Sequence, residues 1–250
     1  MAKEYQITTN FFWSGDDFQF LNRLTILSHL IVGHKVVVWL SGQVPESDYW
    51  IKDIPEVNIQ DANDIIGISK YYNLIPRGLG KKRYRIVSSR WRFSFLYNFG
   101  GLYCDTDAIA IRKFPNQEWI IASDTDTYYS VGVIKCPPKH PVLKYCIENW
   151  VPKWGNVQVF TDAINIHKLG LTNSKKAFYP ISCIQHNKCI KSHRRSFLLD
   201  NINIPDSYSI HYYGNKTQGM NIDHNTVSQY PNSLLNKLSK RVFKSYSFKN

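Results

Sequence analysis

The chain has 250 residues, with 31 Lys plus Arg against 19 Asp plus Glu, a net charge of +12 and 43% hydrophobic residues. Its length is that of one or two domains, and 14% aromatic content excludes a disordered chain, a collagen-like repeat and a low-complexity linker. The positive excess points to phosphate-bearing partners, and nucleoside diphosphates, anionic lipid surfaces and nucleic acids all qualify.

The cysteines, Cys104, Cys136, Cys146, Cys183 and Cys189, are odd in number and scattered, which argues against a disulfide framework and for a reducing compartment. Residues 1–10 lack the pattern of a signal peptide. The most apolar stretch, 24–40, is broken by His29, Gly33, His34 and Lys35 and falls short of the roughly 20 apolar residues of a spanning helix. A cytoplasmic protein, soluble or peripheral at the inner membrane face, is the expectation.

In chain order, Tyr5 to Trp13 reads as a strand, and the spacing of Phe18, Leu21, Leu24, Leu27 and Leu30 as a helix that Asp16 or Asp17 caps and Gly33 ends. Val36 to Leu40 is a buried strand, Asn63 to Tyr72 a short helix, and Pro76 to Gly80 a loop. Tyr84 to Phe99 is a helix stopped by Gly100-Gly101. Leu102 to Ile111 reads as a strand interrupted by two acids, and Trp119 to Ala122 as another strand. Helices follow at Pro141 to Val151 and Asp162 to Leu169, with a late strand at Tyr208 to Tyr213. Alternating strands and helices predict a mostly parallel sheet covered on both faces. One domain, residues 1–250, is the simplest partition, with a first half at 1–110, a second half at 111–215 and a basic tail at 216–250.

Asp105 and Asp107 stand two apart after a buried-looking run, at the carboxyl end of a strand, where ligands of α/β sheets bind. Two carboxylates at that spacing on a strand share a face and repel unless a cation separates them, so a hard ion such as Mg²⁺ or Mn²⁺ is the natural occupant. The competing reading is a solvated turn.

The surrounding Arg92-Phe93-Ser94-Phe95-Leu96-Tyr97-Asn98-Phe99-Gly100-Gly101-Leu102-Tyr103-Cys104-Asp105-Thr106-Asp107 resembles the motif of the DXD glycosyltransferases of family 32. That family includes yeast mannosyltransferases, capsular polysaccharide transferases and the catalytic domains of clostridial glucosylating toxins. Phe12-Trp13-Ser14-Gly15, Gly33-His34-Lys35-Val36 and Asp61-Ala62-Asn63-Asp64-Ile65-Ile66 carry the resemblance across roughly the first 145 residues. It implies a GT-A, Rossmann-like α/β fold with a mixed, mostly parallel sheet flanked by helices. It also implies a UDP- or GDP-sugar donor, Mn²⁺ or Mg²⁺, a glycan or lipid-linked acceptor in polysaccharide biosynthesis, and retention of anomeric configuration. By the same resemblance Trp13 stacks on the donor's base, Arg92 reaches donor sugar or phosphate, and Asp105 and Asp107 bind ribose, sugar and metal. Ser89 stands where the family usually has an Asp that grips the donor sugar.

In the C-terminal half, Ile210-His211-Tyr212-Tyr213-Gly214-Asn215-Lys216 is similar to the H-x-x-G-x-x-K element of the glycogenin-like family 8, one residue shorter. That similarity makes His211 a third metal ligand and sets Gly214 and Lys216 around the diphosphate. Thr161-Asp162-Ala163-Ile164-Asn165 resembles a further segment of that family, and makes Asp162 a candidate for gripping donor sugar or acceptor hydroxyl.

Between Asp64 and Asp105 lie Lys70, Arg77, Lys81, Lys82, Arg83, Arg85, Arg90 and Arg92 and no acid, a pattern that fits a solvated positive face or a phosphate-rich partner. After Asp223 the cations Lys237, Lys240, Arg241, Lys244 and Lys249 interleave with Leu234, Leu235, Leu238, Val242 and Phe243, as in a helix packed on the domain or lying on an anionic membrane. Cys183, His186, Cys189 and His193 could seat zinc, but their spacing matches no familiar zinc module. Two alternatives stand beside a glycan or lipid-linked acceptor: transfer to a modified base of nucleic acid, or a non-catalytic sugar-nucleotide or polyanion-binding module.

Overall fold

A computed structural model of the chain describes residues 5–14, 18–42, 51–52, 54–80, 82–123, 125–152, 156–181, 204, 206–213 and 222–247. Its main sheet contains β1 (Thr8–Trp13), β2 (Lys35–Leu40), β3 (Val57–Asp61), β4 (Gly101–Cys104), β6 (Ile120–Ser123) and β7 (Tyr129–Cys136) in the order β3-β2-β1-β4-β7-β6. The first four strands of that order are parallel, and β7 pairs antiparallel with both β4 and β6. This is a mixed, mostly parallel sheet of the GT-A, Rossmann-like kind.

Strand alternation sets the two layers. Phe11, Val36, Val38, Leu102 and Cys104 turn to one buried cluster, while Phe12, Tyr103, Ile121 and Ile134 turn to the other. The second layer is closed by α2 (Ile68–Asn73), α3 (Lys82–Phe99), α4 (Pro141–Glu148) and α5 (Asn156–Ile166). On the other side lie α1 (Phe20–Ile31) and α6 (Lys175–Phe178). A third cluster joins Leu21, Leu24 and Leu27 of α1 to Val227 of α7 (His224–Ser228) and to Leu235, Leu238 and Val242 of α8 (Leu234–Ser247). The apolar stripe of the basic tail is therefore packed on α1, which answers the choice posed for that segment, and Lys237, Lys240, Arg241 and Lys244 are exposed.

Several elements differ from the expectations. The run from Leu102 to Ile111 is two strands in two sheets: β4 ends at Cys104, and β5 (Ala108–Ala110) pairs antiparallel with β8 (Ser209–His211). The segment 63–72 is a 3-10 turn over 62–64, capped by Asp61 accepting from the Asn63 backbone N–H, followed by α2. Asn156, six residues before the expected start, opens α5. Neither β3 nor β7 was anticipated. The end of α3 is as expected, with the Gly100 N–H donating to the Leu96 carbonyl at 2.9 Å. Gly100 has φ of +64°, and a Cβ there would fall 2.6 Å from the Pro138 backbone nitrogen, so both conformation and space require glycine.

Candidate active site

The two acids occupy the turn between β4 and β5. The Asp105 N–H donates to the Gly132 carbonyl at 2.7 Å and the Ala108 N–H to the Asp105 carbonyl at 3.1 Å, which fixes the turn against β7. The carboxylates thus meet through a turn, and not through the two-residue repeat of a strand. Thr106, between them, is held from behind: Asn22 of α1 donates to its carbonyl at 3.1 Å, as does the Tyr212 hydroxyl.

His211 arrives from far along the chain because β8 pairs with β5 in a register that places His211 opposite Ala108. The Tyr212 N–H donates to the Asp107 carbonyl at 3.0 Å and extends that pairing by one residue. His211 Nε2 lies 3.0 Å from Asp107 Oδ1 and 3.8 Å from Asp105 Oδ2. One ligand atom from each of Asp105, Asp107 and His211 falls within 4.8 Å of the others. Burial alone would lower the imidazole's pKa, but the Asp107 and Asp105 carboxylates override it and raise His211 to about 10. Two carboxylates drawing a buried cationic ring between them form a site of negative potential. Two hard oxygen donors with one imidazole suit Mg²⁺ or Mn²⁺, so the donor set fits such an ion, with Asp105, Asp107 and His211 as its holders.

Arg92 is placed differently from the expectation. It is 4% exposed, its Nη2 donates to Asp105 Oδ1 at 2.5 Å and to the Tyr103 hydroxyl at 3.2 Å, and its guanidinium lies over the Tyr103 ring. The physical reason is that β4 returns along α3, so the helix side chain and the strand-end carboxylate meet in the buried layer. Tyr103 also donates to Asp105 Oδ1, at 2.8 Å. Opposing influences act on Arg92, since burial would lower its pKa while the Asp105 charge and Tyr103 raise it, and the net direction is upward. Arg92 therefore meets Asp105 in a buried ion pair.

The other predicted residues are dispersed in their roles. Trp13 stands at the carboxyl end of β1 beside β4 and stacks on Phe18, with ring centroids 4.6 Å apart. Ser89 lies in α3, and its hydroxyl donates to the Arg85 carbonyl of the preceding turn. Asp162 accepts from Gln158 one turn earlier in α5, and no described contact joins it to Asp105, Asp107 or His211. Gly214 and Lys216 lie outside the described residues, as do Lys81 and the quartet Cys183, His186, Cys189 and His193. In the basic tract, Arg83 donates to the Tyr72 carbonyl at 2.5 Å, Arg90 donates to the Ile147 carbonyl, and Lys70 lies over the Tyr71 ring.

Gly132 was not anticipated as part of the site. Its missing Cβ leaves room for His211, because a Cβ there would sit 2.7 Å from His211 Nε2 and 3.0 Å from the Tyr179 hydroxyl. An isolated glycine within an apolar run is the sequence signal of such a close approach.

The sheet and the turn between β4 and β5 define the class as a GT-A-type glycosyltransferase fold. Residues 24–126 match the family described as the glycosyltransferase sugar-binding region containing the DXD motif. Among curated proteins it is 34% identical over 91 residues to human alpha-1,4-N-acetylglucosaminyltransferase, covering 34% of this chain and 26% of that one. It is 26% identical over 157 residues to rat lactosylceramide 4-alpha-galactosyltransferase, covering 55% and 43%. The chain thus spans about a quarter to under half the length of these relatives. Among solved structures it is similar to the PaToxG glycosyltransferase, with a TM-score of 0.50 and 17% identity over 64% of this chain and 69% of that one, a likeness of fold.

Proposed function

We propose that the chain is a divalent-metal-dependent glycosyltransferase that moves a sugar from a nucleotide-sugar to a glycan or lipid-linked acceptor. The observation that carries this reading is the Asp105–Asp107–His211 triangle at the carboxyl edge of the sheet. A cation held there supplies neutralisation of the charge that develops on a departing nucleoside diphosphate. Asp105 and Asp107 hold it through oxygen, and His211 through nitrogen. Arg92 and Tyr103 fix the Asp105 carboxylate, so the site does not reorganise when charge develops. We assign the donor's base to Trp13, at the carboxyl end of β1, and the diphosphate to Lys216 on the strength of the sequence similarity alone.

The curated relatives are named for alpha linkages, which supports an alpha-linked product, and retention is the stereochemical outcome we propose. One relative is named for lactosylceramide, which favours a lipid-linked acceptor over nucleic acid. Among the described residues no helix is long and apolar enough to cross a membrane. The exposed cations of α8 give an anionic bilayer a surface to meet, and a site at the inner face of a membrane is the location we propose.

Thermal-shift measurement against UDP, GDP and their sugars, each with Mn²⁺, with Mg²⁺ and with chelator, tests the reading. Metal-dependent stabilisation by one nucleotide class, lost in Asp105→Ala and Asp107→Ala, is expected. A response to no nucleotide under any condition would overturn it.

A further inference from the structure

Beside the Asp105–Asp107–His211 triangle, β7 runs past the end of its neighbour and forms a ledge. The β4–β7 ladder stops at Cys104 opposite Val133, followed by the bond from the Asp105 N–H to the Gly132 carbonyl. Both β4 and β6 run antiparallel to β7, so the end of β6 at Ser123, opposite Tyr129, lies at the same carboxyl edge. Tyr129, Ser130 and Val131 therefore reach beyond β4, and all three are half-buried, whereas Gly132, Val133 and Ile134 are buried. At the tip stands Tyr128, 43% exposed yet on a fixed backbone. Its N–H donates to Thr125 Oγ1 at 3.1 Å, its carbonyl accepts from the Ser123 hydroxyl, and the next N–H, that of Tyr129, donates to Thr161 Oγ1 at 3.1 Å. A ring presented on ordered backbone loses little freedom when a ligand settles on it.

Helix α5 supplies a second wall. Val157, Thr161 and Ile164 recur at four and seven residues and share one face of the helix. Along that face Ile164 and Thr161 are buried and Val157 is 39% exposed. Going back along α5 thus leads from the core to Val157, as going back along β7 leads from the core to Tyr128, and the bond between Thr161 and Tyr129 ties the two paths together. Both apolar side chains overhang the edge that carries the acids.

The chemistry of the ledge selects its occupant. Residues 125–131 hold one acid, Asp126, and no Lys, Arg or His, which disfavours a phosphate. The hydroxyls of Thr125, Thr127 and Ser130 interrupt the apolar surface, which disfavours an alkyl chain. A pyranose, with an apolar C–H face and a rim of hydroxyls, suits both features. Three residues of strand put Tyr129 about 10 Å from Gly132, which lies against His211. A sugar unit that receives the transferred group has its hydroxyl at the cation site, so a unit on Tyr128 lies further along the acceptor.

We infer that Tyr128 and Val157 form a platform for a non-reacting sugar unit of the acceptor, with the Tyr128 ring against the apolar face of that unit. The inference rests on the glycosyltransferase reading proposed above and names the acceptor's saccharide, not its lipid, as what this surface holds.

The experiment is saturation-transfer NMR of free lactose, maltose, cellobiose and mannobiose, and of n-octyl glucoside as the alkyl probe, with the full chain, Mn²⁺ and UDP or GDP. At least one disaccharide should receive saturation on the ring C–H protons of one of its units. Tyr128→Ala should weaken that binding about tenfold and Val157→Ser about threefold, while Tyr128→Phe, which keeps the ring, stays within about twofold of wild type. Calorimetry should find Mn²⁺ and nucleotide affinity within about twofold of wild type in all three, because neither side chain belongs to the metal triangle. Ile166→Ser, which removes a 57% exposed apolar side chain from the other end of α5, should leave disaccharide binding as it is. Equal disaccharide affinity in Tyr128→Ala and wild type, or a wild type that binds nucleotide and no disaccharide, overturns the inference and leaves the functional reading intact. Joint loss of Mn²⁺, nucleotide and disaccharide in Tyr128→Ala would mean a structural role, and loss of the octyl-chain signal alone would mean a lipid surface; each overturns it too. Wild type that binds no nucleotide overturns both readings.

Discussion

Two buried histidine sites flank β5, and they are opposite in charge. On one side His211 lies between Asp105 and Asp107 and is raised to about 10 against its burial. On the other, His29 of α1 and His34 before β2 sit Nδ1 to Nδ1 at 3.1 Å, and Thr9 Oγ1 lies 3.1 Å and 2.9 Å from them. Burial lowers His29 to about 4, and burial with its neighbours His29 and Lys113 lowers His34 to about 2. The tautomers follow from the partners. The Ala108 carbonyl can only accept, so His29 Nε2, 3.0 Å away, carries the hydrogen. The Phe114 N–H can only donate, so His34 Nε2, at 3.1 Å, is bare and its Nδ1 is the donor. Both rings are neutral and every hydrogen has an acceptor. Ala108 joins the two sites, with its carbonyl on His29 and its strand partner His211. The difference teaches that carboxylates make a histidine part of an ion-binding cluster, whereas backbone groups and a hydroxyl make it structural.

The comparison breaks if the two sites respond alike to mutation. Asp107→Asn is expected to lower sugar-transfer or donor-hydrolysis turnover by about a thousandfold, roughly 4 kcal/mol of transition-state stabilisation, with a smaller loss in urea stability from the broken His211 pair. His29→Leu should do the reverse in emphasis. It strips partners from Ala108, Thr9 and His34, and should cost about 3 kcal/mol in urea unfolding. Equal stability losses in the two variants would show that both histidine sites are scaffolding.

Acid sharpens the contrast. A folded pKa of about 4 for His29 against 6.5 unfolded means that the unfolded chain binds the proton more readily. The stability conferred by neutral His29 is therefore complete above about pH 6.5 and lost progressively as pH falls toward 4, with about 2 kcal/mol gone at pH 5. Urea midpoints at pH 7.5 and 5.0 measure this. His29→Gln, which cannot take up the proton, should reduce the dependence over that interval and leave the part due to His34; an unaltered slope would place the acid sensitivity elsewhere.

The sequence made Asp105 and Asp107 conspicuous because a glycine pair, an aromatic residue and two acids follow one another locally, and the β1–α1–β2 opening was legible from its period and from Gly33, although α1 starts at Phe20 with Gln19 as its cap and not with Asp16 or Asp17. What it hid depends on chain geometry. Arg92 stood out through the resemblance, and only the return of β4 along α3 shows its ion pair with Asp105. Trp13 reads as exposed to a base, yet part of its face is taken by Phe18. The antiparallel β7 was lost because Gly132 interrupts its apolar run, and with it went the wall behind His211. His211 was set beside Asp105 and Asp107 by the resemblance and not by its own spacing, since the pairing of β5 with β8 is non-local.

That wall allows the finest separation of the two sites. A Cβ on Gly132 would press on His211 Nε2 at 2.7 Å, and a ring is easier to displace than the strand, so Gly132→Ala should tilt the imidazole away from Asp107. Mn²⁺ affinity should fall about tenfold, within the range seen when the support of a metal ligand is disturbed. If the clash with His211 is the cause, the effect must vanish when the ring is gone. Gly132→Ala combined with His211→Ala should then bind Mn²⁺ no more weakly than His211→Ala alone, a non-additivity of about 1.4 kcal/mol. Additive losses would instead mean that Gly132 acts through its carbonyl on Asp105, which accepts the Asp105 N–H at 2.7 Å, and that the turn, not the ring, is what the glycine protects.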